Sequence, residues 1–343
     1  MILYLGNKLS KHGKSVSVIE TLSSKLARRY SIVSVSDKKN IVLRFIDMAW
    51  HLVKYRKKTK IILVDTYSSW AFYYVVLVAF FSRLYKYPYV PIVHGGNLKK
   101  RLRSSPYLSR FVFSKAYCIV SPSYYLQKVF SDSGYRTIYI PNSLDMGIIK
   151  FTLRKKVKPK LLWVRSFLTQ YRPEAAVEVM RELVKVYPDA ELCMVGGGDK
   201  QIIEGIKRLI GKYKLHEHIK LMGKLTQSEW YELSEEYDIF INTTSVDNHP
   251  VSIIEAMALG MPIISTKVGG LPYLIENGVD GILVTPNEDL SMVEAIKTLV
   301  NNNAMVEELS VSARKKAISF DWRFVAPKWY ALLDPIAGLK GKV

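Results

Sequence analysis

Apolar residues recur along this chain in two alternating rhythms. Short β-branched runs give way to longer stretches in which apolar positions return every three or four residues. Residues 1–5 read as a strand, and 15–30 as an amphipathic helix with Val16, Ile19, Leu22 and Leu26 at helical spacing. Then come a strand at 31–36, a helix at 41–55, a strand at 60–65 and a helix at 70–85. The strand at 90–93 ends in His94-Gly95-Gly96, and short strands follow at 117–120 and 136–140. The rhythm lapses over the basic stretch 146–160 and then restarts. Strands at 161–164, 191–195, 219–222, 239–242, 262–265 and 281–284 are separated by helices at 173–186, 202–213, 227–236, 250–259 and 271–276. Helices at 291–301 and 320–333 complete the pattern.

Strands alternating with helices of this length predict βαβ units and parallel sheets. The chain therefore divides into two tandem Rossmann-like α/β domains. Residues 1–150 form the first, 151–160 a linker and 161–322 the second. Residues 323–343 form a C-terminal helix and tail expected to pack back on the first domain. Ligands of open parallel sheets bind beyond the C-terminal strand ends, so the two domains are expected to face across a cleft. The pattern alone leaves transferase, epimerase and dehydrogenase equally open.

Composition narrows the classes. A chain of 343 residues, about half of them apolar, is long enough for two cores. Cys118 and Cys193 lie far apart with no CxxC or histidine-rich spacing, which reads as two buried thiols in a reducing cytosol. No leader pattern is read at 1–5. The longest apolar run, 70–81, is shorter than the roughly 20 residues a bilayer span needs. It reads as a buried helix, or alternatively as one that dips into a membrane surface. The charge is lopsided: residues 1–150 carry net +19 and residues 151–343 net +1. Such a first half implies an anionic partner: lipid, a phosphate-bearing acceptor or nucleic acid. Residues 54–60 and 99–103 form its densest clusters.

The chemistry concentrates at 247–260. Asn248 or His249 would cap a helix with Pro250 in its first turn and Gly260 just past its end. That helix is apolar nearly all round, so it should be buried, and its N-terminus offers unpaired N–H groups to a phosphate. Glu255 is the anomaly inside it. A buried carboxylate needs partners. Two vicinal ribose hydroxyls would serve, and so would a neighbouring Lys or a backbone amide.

Asp247 and Glu255, spaced as Asp-x7-Glu, resemble the Glu-x7-Glu motif of glycosyltransferase family 4. The words PVSIIEAMALGMPIIST and VGGLPYLIENGVDGILV fit as well. The resemblance is dense over 161–330 and looser over 1–150. It implies the GT-B arrangement and transfer of a sugar from a nucleotide-sugar, with retention and without a metal. Glu255 would then bind ribose hydroxyls and Asp247 sugar hydroxyls. Backbone N–H groups of Val251, Ser252 and Ile253 would hold the diphosphate, and Arg165 would offset its growing charge. The family's usual Lys after that Arg is replaced by Gln170, with Arg172 as the candidate substitute. Gly197 would lie near the nucleotide, with Lys224 and Leu225 beside the base. In the first half, Gly13 within Ser10-Lys11-His12-Gly13-Lys14 resembles the family's glycine loop, and His94 resembles its histidine at the donor sugar.

The implied donor is a UDP-sugar in preference to a GDP-sugar, with no permanently bound cofactor. The implied acceptor is a glycan or polyprenyl-diphosphate-linked molecule in polysaccharide or glycoconjugate biosynthesis. The expected location is the cytoplasm, at the inner membrane face. A nucleotide-sugar 2-epimerase and a non-catalytic basic binding protein remain the alternatives. No Asp-x-Asp, Walker loop, Gly-x-Ser-x-Gly or His-Glu-x-x-His pattern occurs.

Overall fold

The computed structural model describes residues 1–13, 16–95 and 97–338. Lys14 and Gly96, two positions in the expected glycine and histidine loops, lie outside the described residues. Residues 1–142 together with the segment from Val325 onward form one compact unit, and residues 143–324 form a second.

The first unit is built on β1 (Ile2–Leu5), β2 (Ile32–Val35), β3 (Ile61–Thr66), β4 (Tyr89–Val93), β5 (Ile119–Ser121) and β6 (Thr137–Tyr139). They pair in parallel in the order β2-β1-β3-β4-β5-β6. β1, β3 and β4 are buried along their whole length, which is why they read as continuous apolar runs and not as alternating ones. The first helix, Val18–Leu26, is shorter than its apolar spacing suggests. Ser17 and Glu20 form a capping box that starts it, three positions later than expected. Helices Leu98–Ser104, Pro106–Phe113 and Tyr124–Asp132 add to the pattern read from sequence. The first buries only Leu98, so its sequence carries almost no apolar period.

The second unit carries β7 (Lys160–Val164), β8 (Glu191–Val195), β9 (Ile219–Gly223), β10 (Ile239–Asn242), β11 (Ile263–Thr266) and β12 (Ile282–Val284), in the order β12-β11-β10-β7-β8-β9. Alternate residues feed two apolar layers. Leu161, Trp163, Ile239 and Ile241 face one core cluster, while Leu162, Phe240 and Cys193 face the other. Helix Val251–Leu259 belongs wholly to the second layer. It packs there beside helix Asn303–Ile318, which the sequence pattern did not single out.

The stretch read as a linker is structurally part of the second unit. Arg154 is buried and donates to the carbonyls of Leu259 (2.8 Å) and Ser234 (2.9 Å), so its charge sits inside the fold of that unit. Helix Trp322–Ala337 carries the chain back to the first unit. There Asp334 accepts from Arg29 Nη2 (2.8 Å) and Tyr30 Oη (2.5 Å), and the Ala337 carbonyl accepts from Lys60 Nζ (2.6 Å).

Candidate functional site

In the second unit the strand order reverses between β7 and β10, and the chain leaves both strands at the same sheet edge. Side chains at those two ends lock the loops together. Thr243 Oγ1 accepts from Trp163 Nε1 (3.0 Å) and donates to the Tyr171 carbonyl (2.9 Å). Thr244 Oγ1 and the Ser245 N–H both donate to the Gln170 carbonyl. The sequence-predicted Gln170 thus acts here through its backbone.

Arg165 follows β7 directly. Its guanidinium forms an ion pair with Asp247, reaches Ser252 Oγ (3.4 Å) and lies 4.2 Å from the centre of the Tyr171 ring. Burial lowers its pKa to about 10, which leaves it protonated at neutral pH. Its Nε is buried and finds no acceptor among the described residues. A buried guanidinium N–H without an acceptor is costly unless an anion completes it.

Helix Val251–Leu259 starts after Pro250, not after Asn248 or His249. Proline has no side-chain acceptor, so the residue at the cap position leaves the first-turn N–H groups of Val251, Ser252 and Ile253 their donor capacity. His249 is buried instead, its ring 5.3 Å from that of Phe320. Neither ring nitrogen has a partner among the described residues, and burial pushes its pKa down to about 4. Gly260 ends the helix in the left-handed region, where a Cβ would meet the Thr152 carbonyl.

Glu255 is buried and its Oε1 accepts from Tyr231 Oη (3.0 Å) and from Gln227 Nε2. Neither a Lys nor a backbone amide is its partner among the described residues. The two donors favour the charged form, but burial outweighs them and raises the pKa to about 7. Both bonds converge on one oxygen, so Oε2 keeps its acceptor capacity. Gln227 and Tyr231 were missed from sequence. The signal was available, since they stand four apart on one helix, Gln227–Leu233.

Glycines set the backbone of the site. A Cβ on Gly269 would strike the Asp247 carbonyl oxygen, and one on Gly270 that of Asn248. The Gly270 N–H donates to Asp247 O (2.9 Å), pinning the loop before the helix. Likewise a Cβ on Gly196 or Gly198 would strike the carbonyls of Arg165 or Phe167. This loop is therefore a backbone-packing device that positions Arg165. Gly197 stands in the same loop, where an added Cβ would lie 3.6 Å from Lys224 Cβ. Lys224 is exposed, and Leu225 packs at the edge of the cluster that holds the Glu255 helix. Arg172 takes a left-handed backbone conformation, and its guanidinium bonds Asn287 Oδ1 (2.7 Å) and approaches Glu174. Neither of those partners belongs to the Arg165–Asp247 pair.

The first unit holds its own polar cluster at the β1/β3 edge, where its strand order reverses. Asp65, fully buried at the end of β3, accepts at Oδ1 from Tyr4 Oη (2.7 Å) and lies 3.0 Å from His94 Nε2. Tyr67 stacks on the His94 ring at 5.1 Å. Burial and the neighbouring Asp65 push the Tyr4 and Tyr67 hydroxyls well above their usual pKa, so both stay protonated. A carboxylate at Nε2 holds the proton there and leaves His94 Nδ1 as the acceptor. A Cβ on Gly6 would lie 2.6 Å from Asp65 Oδ2, so the glycine makes room for the acid. Asp65 was missed from sequence, although a lone acid closing the apolar strand IILVDT was the signal. Gly13 has a φ of +76° after the turn Ser10–His12, and no atom would crowd an added Cβ. It serves the turn, and the space beside it is open.

Residues 147–316 match the family described as glycosyl transferases group 1. Over this segment, 170 of the 343 residues, the chain is similar to the group 1 glycosyl transferases. The chain is 21% identical over 216 residues to phosphatidyl-myo-inositol mannosyltransferase of Mycobacterium leprae, covering 61% of this chain and 56% of the relative. It is 22% identical over 262 residues to glycogen synthase of Mycobacterium tuberculosis, covering 71% and 62%. The chain spans about half the length of the first curated relatives it matches. Among solved structures, HepE of Anabaena in complex with UDP superposes with a TM-score of 0.76 at 17% identity, covering 97% of this chain and 99% of that one. Sucrose-phosphate synthase of Thermosynechococcus elongatus gives 0.79 at 14% identity, covering 99% and 100%. At such identities these likenesses establish the two-domain GT-B type of fold.

Proposed function

We propose that the chain is a retaining glycosyltransferase that takes its sugar from a nucleotide-sugar and needs no metal. The observation that carries this is the buried Glu255, which has an oxygen to spare one helical turn from a helix mouth whose cap residue is Pro250, beside Arg165. A nucleoside diphosphate matches that set. Its diphosphate suits the first-turn N–H groups and the acceptor-less Arg165 Nε, and its ribose hydroxyls suit Glu255. Asp247 is proposed to hold sugar hydroxyls, and His94 to act at the donor sugar. UDP is the proposed nucleotide, because HepE structures hold UDP and UDP-glucose. The acceptor is proposed to be a glycan or a polyprenyl-diphosphate-linked molecule, with the basic first half toward an anionic partner.

Thermal unfolding with UDP, GDP and ADP tests the donor assignment. UDP should raise the midpoint most, since a ligand of the native state stabilises it. Glu255→Ala should remove most of that shift. A shift equal for all three nucleotides, or unchanged in Glu255→Ala, would refute the site.

A further inference from the structure

Helix Ile41–Lys54 in the first unit is built inside out. It buries Arg44, Met48 and Leu52. Arg44 donates inward to Asn7 Oδ1 (2.8 Å), Tyr74 Oη (3.1 Å) and the carbonyls of Lys38 and Lys39 (2.9 Å each). Val42, Ile46, Trp50 and Val53, spaced by four, four and three residues, form one outward apolar stripe, and the first three are more than half exposed. The neighbouring helix Phe72–Tyr85 repeats the arrangement with Tyr73, Phe80 and Leu84. The apolar run expected to be buried is thus buried on one side only. Both helices follow right-handed crossovers in the direction β2 to β3 to β4, so they lie on the same face of the sheet.

Two adjacent apolar stripes make a patch that an isolated protein in water has no use for. Its rim identifies what covers it. Lys38 and Lys39 precede the first helix, and Lys54, Arg56, Lys57 and Lys58 close it, all of them exposed. Lys54 Nζ lies 4.2 Å over the Trp50 ring, an ammonium carried at the border of an apolar surface. A second copy of the chain would bring one +19 half against another. An anionic lipid surface instead supplies acyl chains for the stripe and phosphates for the rim. The helix has 14 residues, roughly 21 Å at 1.5 Å per residue, against a hydrocarbon core of about 30 Å. No helix among the described residues is long and apolar enough to cross a membrane.

We infer that helices Ile41–Lys54 and Phe72–Tyr85 form an interfacial docking face for an anionic bilayer, with the Val42–Ile46–Trp50 stripe seated at the headgroup–acyl boundary. This deepens the reading of the basic half as facing an anionic partner. It requires apolar insertion and not charge attraction alone.

Co-sedimentation with vesicles of equimolar phosphatidylcholine and phosphatidylglycerol, against pure phosphatidylcholine, tests it. The full chain should bind the anionic vesicles selectively. Ile46→Glu/Trp50→Glu should weaken that binding at least tenfold, with little change in melting temperature, because both side chains are more than half exposed. In the unsubstituted protein, bromine-labelled acyl chains should quench tryptophan emission, and replacing both Trp50 and Trp70, the exposed tryptophan just before helix Phe72–Tyr85, with Phe should abolish the quenching. Undiminished binding by the glutamate variant would overturn the proposal, since charge alone would then suffice. So would a dimer of the native chain that the glutamate variant converts to monomer without any vesicle binding. The UDP thermal shift, measured on the same variant, should persist. Its absence in every form would refute the donor assignment and leave the vesicle result standing.

Discussion

Arg165 and Asp247 meet as an ion pair although one ends a strand and the other precedes a helix far along the chain. Each therefore depends on the other for its charge in a largely buried place. Arg165→Met should lower the melting temperature by leaving Asp247 unpaired, a loss that can reach about 3–5 kcal/mol for fully buried pairs. Arg165→Met/Asp247→Asn should recover most of that stability. Turnover should stay down by a factor on the order of a hundred in both, because removing a donor aimed at developing charge costs about that much. Recovery of turnover along with stability would make the pair structural only.

Glu255→Gln separates the cost of the carboxylate from its use. The native pKa of about 7 stands above the ordinary 4.5, so the folded state favours the protonated acid. Through this group the native chain therefore loses stability as pH rises from about 4.5 through 7, by up to about 3 kcal/mol. Glu255→Gln, which can still accept from Tyr231, should be the more stable form above pH 7 and match the native chain below about pH 4.5. UDP affinity should weaken in the native chain as pH falls below 7 relative to the variant, whose amide does not titrate. Parallel pH profiles for the two would contradict ribose binding by the carboxylate.

Asp65→Asn should change which nitrogen of His94 carries its proton. Nitrogen-15 shifts of the ring report the tautomer directly, with Nε2 protonated in the native chain. We expect kcat to fall at least tenfold with KM little changed, and Asp65→Glu to restore neither, because Gly6 leaves no room for a longer acid. An unchanged tautomer would remove Asp65 from the positioning of His94.

His249 is buried and neutral, with its pKa near 4 against an ordinary 6.5. Its native pKa is depressed, so its contribution to stability is complete above pH 6.5 and drains as pH falls toward 4, by up to about 3 kcal/mol, opposite in sign to that of Glu255. His249→Phe, which would meet Phe320 edge to face and has no proton to accept, should gain stability relative to the native chain as pH falls over that range. Identical acid transitions in the two proteins would mean that the ring is solvated.

Gly270→Ala should disrupt the site more than the fold. The added methyl strikes the Asn248 carbonyl, so the loop 247–250 must move. Loss of the UDP shift with folding retained, read by circular dichroism, is the expected result.

The parallel sheets were legible because β1, β3, β4 and β10 are buried on both faces and must read as apolar runs. The Glu255 helix was legible for the same reason, with a single acid standing out against apolar neighbours. The partners of that acid were not, since Gln227 is an ordinary exposed polar residue until the fold brings it to Glu255. Helix Leu98–Ser104 hid because its basic face outnumbers its one buried residue. The start of the site helix was not legible either, because Asn248 and His249 are better cap residues than Pro250 on propensity alone. What overrides propensity is the packing of Gly269 and Gly270 against the backbone of Asp247 and Asn248.

The first unit is not contiguous in sequence. Residues 1–142 leave the ribosome well before the segment from Val325 that bonds Arg29, Tyr30 and Lys60. The second unit, 143–324, is continuous and can close on itself as it emerges. During synthesis, then, the second unit can mature first, while the basic first unit waits with an unfilled seam and its apolar stripes already in water.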